Sequence, residues 1–132
     1  MPPRKNNPRQ YFNLPGRSAS FPFSDAVLAG DTLYLSGRIG LDPATGMAPA
    51  DVTQELQLLF DGFEAVLKLA GMAMDDLVWV QVFSPDVSLW PQFNAAYVKR
   101  FSAEFPARAF IGSGPLLFGG RFEMMGTAVR RS

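Results

Sequence analysis

Apolar residues recur along this chain with two periods, and the switches between them mark the elements. Two apolar runs, Asp25–Gly30 and Thr32–Ile39, are split by Gly30-Asp31, a dipeptide that signals a hairpin turn. The second run, Leu33-Tyr34-Leu35-Ser36-Gly37, is nearly all apolar up to Ser36 and reads as a central strand. Gly37 at its end predicts a bulge or the close approach of another group to the backbone. Asp42-Pro43-Ala44-Thr45-Gly46 reads as a turn. The period then changes. Leu56, Leu59, Phe60, Phe63, Val66, Leu67 and Ala70 recur at spacings of three and four, an amphipathic helix that ends at Gly71. Asp51 or Thr53 can cap it, and Asp51 with Gln54 approximates a capping box. Leu77–Phe83 is rich in β-branched and aromatic residues, reads as a strand, and is stopped by Pro85. Ser88 can cap a second helix, in which Trp90, Phe93, Ala96, Tyr97, Arg100 and Phe101 fall near helical spacing and Pro91 fits the first turn. Ala107–Gly112 and Arg121–Val129 are the closing strands, separated by Ser113-Gly114-Pro115.

The predicted order is β-β-α-β-α-β-β. Strands joined through helices imply crossovers, and the opening hairpin implies an antiparallel portion. The expected fold is therefore of the α/β (α+β) kind, a mixed sheet with both helices on one face. That leaves one sheet face uncovered, although strands such as Leu77–Phe83 are apolar on both faces. Oligomerisation is the simplest cover.

Composition narrows the function classes. A chain of 132 residues suits one domain, expected over 19–132. Before it, Arg4, Lys5, Arg9 and Arg17 meet no acidic residue, and Pro2, Pro3 and Pro8 break regular structure, so residues 1–18 are expected as a flexible basic tail. Net charge is zero, which argues against a nucleic-acid partner. No apolar run approaches membrane-helix length and no signal-peptide pattern opens the chain, so the expected location is cytoplasmic and the expected partners exclude a membrane. The chain has no cysteine and no histidine, which removes disulfides, thiol chemistry, Ser-His-Asp catalysis and the usual zinc sites.

The best candidate for chemistry is then one cation and one carboxylate. Arg108 and Glu123 stand fifteen positions apart on the closing strands. Alternation puts Arg108 with Phe110 on one face of its strand, and Glu123 with Met125 on one face of the other. The pair admits a structural ion pair, two unrelated surface charges, or a site in which the cation holds an anionic substrate and the carboxylate moves a proton. Gly37, beside Ser36 and Arg38, can offer a backbone N–H to a carboxylate or oxyanion, or mark a simple strand-end bulge.

Four motifs, in order, resemble the RidA (YjgF/YER057c/UK114) family of imine/enamine deaminases. They are Pro22-Phe23-Ser24 with Ala26-Val27, Leu35-Ser36-Gly37-Arg38-Ile39 with Asp42-Pro43-Ala44-Thr45-Gly46, Asn94-Ala95-Ala96-Tyr97, and Pro106-Ala107-Arg108 with Glu123. The resemblance spans about residues 20 to 131. It implies a chorismate-mutase-like homotrimer with ligand sites between subunits. It also implies hydrolysis of a 2-aminoacrylate-like enamine or its imine to a 2-keto acid and ammonia, with no metal or cofactor. In that reading Arg108 binds the substrate carboxylate, the Ser36-Gly37 backbone helps hold ligand, and Glu123 orients or activates water. Phe23, Arg38, Asn94 and Phe110 join the substrate-binding set.

The chain departs from the family pattern at several of these positions. The family commonly has tyrosine at Phe23, glutamine at Arg38, a small residue at Phe110, a second acid at Met125 and an arginine at Pro115. Phe110 shares a strand face with Arg108, so its ring is expected to reshape the pocket beside the anchor. Two alternatives follow: a non-catalytic ligand-binding or regulatory trimer, and an endoribonuclease, for which the charge balance offers no support.

Overall fold

The computed structural model describes residues 8–131. Six strands form one sheet: β1 (Gln10–Phe12), β2 (Ala26–Ala29), β3 (Thr32–Arg38), β4 (Leu77–Ser84), β5 (Ala107–Gly112) and β6 (Glu123–Val129). Helix α1 (Val52–Leu69) connects β3 to β4, and α2 (Trp90–Tyr97) connects β4 to β5. The order across the sheet is β1-β2-β3-β6-β4-β5, with β4 and β5 parallel and the other neighbours antiparallel. The last strand thus lies at the centre, between the hairpin and the crossover unit.

This is the mixed α+β sheet that the alternating periods predict, with one strand more. Gln10–Phe12 pairs with β2 inside the segment expected as a tail. Three residues are too few for alternation to show in a sequence, and their neighbours are polar. Two hydrogen bonds tie this edge down: the Leu14 amide donates to Asp25 Oδ2 (2.8 Å), and the Asp25 amide donates to Asn13 Oδ1 (3.0 Å). Residues 1–7 of the expected tail lie outside the described residues.

Helix α1 begins where its cap predicts. The Asp51 side chain accepts from the Gln54 amide, and Gly71 (φ 72°) donates to the Lys68 carbonyl while Met72 donates to that of Leu67. Helix α2 is capped differently from expectation. A short 3-10 turn, Val87–Leu89, precedes it, and Asp86 accepts from the Ser88 amide (3.0 Å).

Both helices pack on one sheet face. Leu59, Phe60, Phe63 and Leu67 of α1 and Phe93 of α2 share a single buried cluster with Leu33, Val80, Val82, Met124 and Ala128 of the sheet. On the opposite face Tyr34 and Trp79 stay exposed. Among the described residues no helix is long and apolar enough to cross a membrane.

One charged pair is built into this core. Glu55 on α1 is fully buried, and its carboxylate accepts from Arg121 twice, from Nε and from the backbone amide, each at 2.7 Å. Arg121 also donates to the Pro49 carbonyl. The final strand was expected from Arg121, but this anchor holds Arg121 out of the ladder and β6 starts at Glu123. Arg121→Ala leaves a buried carboxylate without its cation. It is expected to cost roughly 3–5 kcal/mol of stability, read as a lowered urea midpoint at unchanged slope.

Candidate functional site

Arg108 and Glu123 occupy opposite faces of the sheet. Arg108 and Phe110 pair in register with Val80 and Val82, whose side chains are buried under the helices. Glu123 pairs with Phe83, and its neighbour Met124 points into the core, so Glu123 faces away from the helices. Among the described residues neither forms a salt bridge, which removes the structural ion pair from the readings open to the sequence.

The Glu123 half is a cavity of about 540 Å³. Ser36, Gly37, Arg38 and Phe23 line it, together with Asp25, Ile39, Leu41 and the Leu117-Phe118 turn. The pairing of β3 with β6 shifts register between Leu35 and Arg38, so the predicted bulge is present at Ser36-Gly37. The predicted close approach is present too. A Cβ on Gly37 would stand 2.2 Å from Glu123 Oε2, so only glycine lets the carboxylate rest on that backbone. The Ser36 hydroxyl donates to the Ser24 carbonyl and its amide to the Asp25 carbonyl, which fixes the bulge against the preceding strand.

Arg38 reaches Asp25 (3.4 Å) and packs its chain against Gly62 of α1. Burial lowers its pKa from the usual arginine value; Asp25 opposes that and Arg17 adds to it. Its charge is thus shared with Asp25, a residue absent from the sequence-derived site. Asp25 is buried and also faces Arg17 (3.7 Å). Its single acidic letter before an apolar strand carried no signal of that role.

The Arg108 half is smaller, about 200 Å³, and includes Asn94, Tyr97, Phe105 and Pro106. The guanidinium carbon lies 4.7 Å from the Tyr97 ring centre, 5.5 Å from that of Phe93 and 5.9 Å from that of Phe110. The ring of Phe110 packs edge-on against Phe93 (5.4 Å) and lines neither cavity. It forms part of the shelf under the cation. The Tyr97 hydroxyl is buried and has no hydrogen-bond partner among the described residues. Burial pushes its pKa up to about 12, with Arg108 opposing, so it is a donor at neutral pH. In the sequence Tyr97 reads as a helix-face aromatic and as the end of the Asn94-Ala95-Ala96-Tyr97 motif, and neither pattern marks its hydroxyl as a site group.

Chemically, one half offers an unpaired guanidinium on aromatic faces, suited to a carboxylate. The other offers a carboxylate beside a backbone bulge, suited to a proton and a water. Among the described residues no three Asp or Glu side chains gather in a metal-ligating group.

Comparison with known proteins gives a consistent picture. The family model described as Endoribonuclease L-PSP matches residues 16–130. The 2-iminobutanoate/2-iminopropanoate deaminase of Capra hircus is 36% identical over 110 residues, covering 83% of this chain and 80% of that one. The deaminase of the same name from Escherichia coli K12 is 33% identical over 113 residues, covering 83% and 88%. Among solved structures, the YjgF gene product of E. coli superposes with a TM-score of 0.78 at 33% identity, over 86% of this chain and 91% of that chain. YyfA of Yersinia pestis, described as a Rid-family protein of unknown function, superposes with a TM-score of 0.86 at 27% identity, over 93% and 100%.

Proposed function

The chain belongs to the endoribonuclease L-PSP (RidA) family, and on that premise we propose that it is a deaminase of the Rid type, working without metal or cofactor. Its substrates are 2-imino acids and their enamine tautomers, and its products are 2-keto acids and ammonia. The observation that carries the reading is the placement of the two halves. Arg108 and Glu123 lie on opposite sheet faces, so they serve one ligand only if a second copy supplies one of them. A homotrimer supplies it: the Glu123 cavity of one protomer closes on the Arg108 cavity of the next. The exposed open face, with Tyr34 and Trp79, gives such copies a surface to bury.

In this reading Arg108 holds the substrate carboxylate, with the Tyr97 hydroxyl and Asn94 beside it. Water adds to the iminium carbon while Glu123 accepts a proton from it, giving a carbinolamine. Glu123 returns that proton to nitrogen. The C–N bond breaks as the hydroxyl oxygen forms the carbonyl, so ammonia and a proton leave with the 2-keto acid. The amide of Gly37 and the Ser36 bulge border the carbon at which oxygen appears.

The shared site has a direct test. Arg108→Ala and Glu123→Gln are each expected to leave little activity alone at low substrate concentration. Unfolded, mixed and refolded together, they are expected to regain partial activity, because some interfaces then pair an intact Arg108 with an intact Glu123. Absence of recovery in verified mixed trimers contradicts a site shared between copies.

Two further outcomes follow from the geometry. Tyr97→Phe removes a donor to the bound carboxylate and is expected to raise KM by about ten- to a hundredfold. It also removes an unsatisfied buried hydroxyl, so the melting temperature stays level or rises; a fall in melting temperature with unchanged KM marks the hydroxyl as purely structural. Gly37→Ala drives the Glu123 carboxylate off its resting place. It is expected to lower kcat by on the order of a hundredfold while the protein stays folded, and wild-type kcat would show that this contact does not position the carboxylate.

A further inference from the structure

The Glu123 cavity is walled by large apolar side chains that lie outside the buried core. Phe21 and Phe23 stack with ring centres 5.3 Å apart and planes 8° from parallel. They remain 46% and 49% exposed, and Leu117 and Phe118 across the cavity are 69% and 46% exposed. Ile39 and Leu41 complete the apolar lining. None of these six belongs to the buried core. These large apolar groups stand around one carboxylate, on the side that the neighbouring protomer closes, and give a bound ligand an apolar wall.

These groups are held in place. The Arg17 guanidinium lies over both rings, 5.2 Å from Phe21 and 5.1 Å from Phe23, and donates to the Phe23 carbonyl at 2.6 Å. Asp25 in turn faces Arg17 and ties the stack to the start of β2. Phe118 adopts φ 59°, a left-handed backbone uncommon for any residue but glycine, and its carbonyl accepts from the Ala48 amide at 2.9 Å. In a single protomer the cavity measures about 540 Å³, which leaves room for a side chain larger than a methyl group.

We infer that the preferred substrates are 2-imino acids carrying a bulky apolar side chain, of the size of leucine or phenylalanine, seated between the Phe21-Phe23 stack and the Leu117-Phe118 turn. This rests on the deaminase reading of the same site and adds the side-chain class to it. Phe110 does not oppose it, since its ring turns away from both cavities into contact with Phe93.

The test uses imines released in situ by an L-amino-acid oxidase from alanine, leucine and phenylalanine. Their hydrolysis is followed as 2-keto acid formed in competition with a semicarbazide trap. Expected is a kcat/KM at least about tenfold higher for the leucine and phenylalanine imines than for the alanine imine, since a hydrophobic pocket discriminates roughly 10–200-fold per methylene. Phe23→Ala and Leu117→Ala, both at exposed positions and both checked by circular dichroism, are expected to shrink that ratio about tenfold. Turnover of all three imines at equal kcat/KM, or a preference that survives both substitutions, overturns the side-chain assignment and leaves the deaminase reading standing. Failure to accelerate any of the three overturns the deaminase reading, and the assignment with it.

Discussion

Glu123→Gln is expected to stop ammonia release while the protein still binds 2-keto acids. Glutamine keeps the length and shape of the side chain that rests on Gly37, where an added Cβ would come within 2.2 Å of the carboxylate oxygen. What it loses is a carboxylate able to take up a proton, the step proposed for Glu123. Positioned acid–base groups contribute about 10²–10⁴-fold, so kcat should fall by that factor in steady-state assays on 2-iminobutanoate. In the proposed reading the ligand carboxylate is held by Arg108, which this substitution leaves intact. The thermal upshift given by 2-oxobutanoate should therefore stay close to that of the wild-type protein. Glu123 forms no salt bridge among the described residues, so no structural ion pair is lost and the melting temperature of the free protein should hold. A kcat within a few-fold of wild type would falsify its role as proton carrier.

The same residues show how far a sequence can be read for such a site. The apolar runs Leu33–Leu35 and Leu77–Phe83 and the three-four spacing of Leu56–Leu67 report burial, which is a local property. They marked the strands, the helices and the mixed sheet they build. The bulge at Gly37 was legible because glycine at a strand end has few other uses. The separation of Arg108 from Glu123 was not legible. Each residue's own strand face followed from alternation, but the face toward the helices depends on register with β4, a nonlocal fact. Phe110 was expected in the pocket because it shares Arg108's face. It does share it, and the ring of Phe93 on α2 then draws it inward. Buried polar partners were the least visible. Glu55 and Arg121 stand 66 positions apart, and nothing in either neighbourhood announces the other. Strand β1 failed for a different reason, since three residues carry too short a period to detect.

Arg108→Ala is the complementary test, expected to weaken binding while Glu123 stays in place. The Arg108 guanidinium makes no hydrogen bond and no ion pair among the described residues, and its carbon lies 4.7 Å from the Tyr97 ring centre. Aromatic faces orient a planar cation and strip part of its water without using its N–H donors. The donors stay free for a carboxylate, which can be gripped in a two-point fork. Removing one partner of such a pair costs about 2–5 kcal/mol, so KM for 2-imino acids and Kd for 2-keto acids should rise by roughly 30-fold to several thousandfold. Arg108→Lys is expected to recover little of this, because an ammonium keeps the charge and loses both the fork and the stacking plane. Stability moves far less, since the cation–aromatic contacts are worth about 0.5–2 kcal/mol. That contrast separates an anchor from a structural cation: large losses in KM and Kd against a melting temperature changed by only a few degrees. An unchanged Kd for 2-oxobutanoate in Arg108→Ala would place the carboxylate elsewhere, and the half-site under α2 would then lose its assigned ligand.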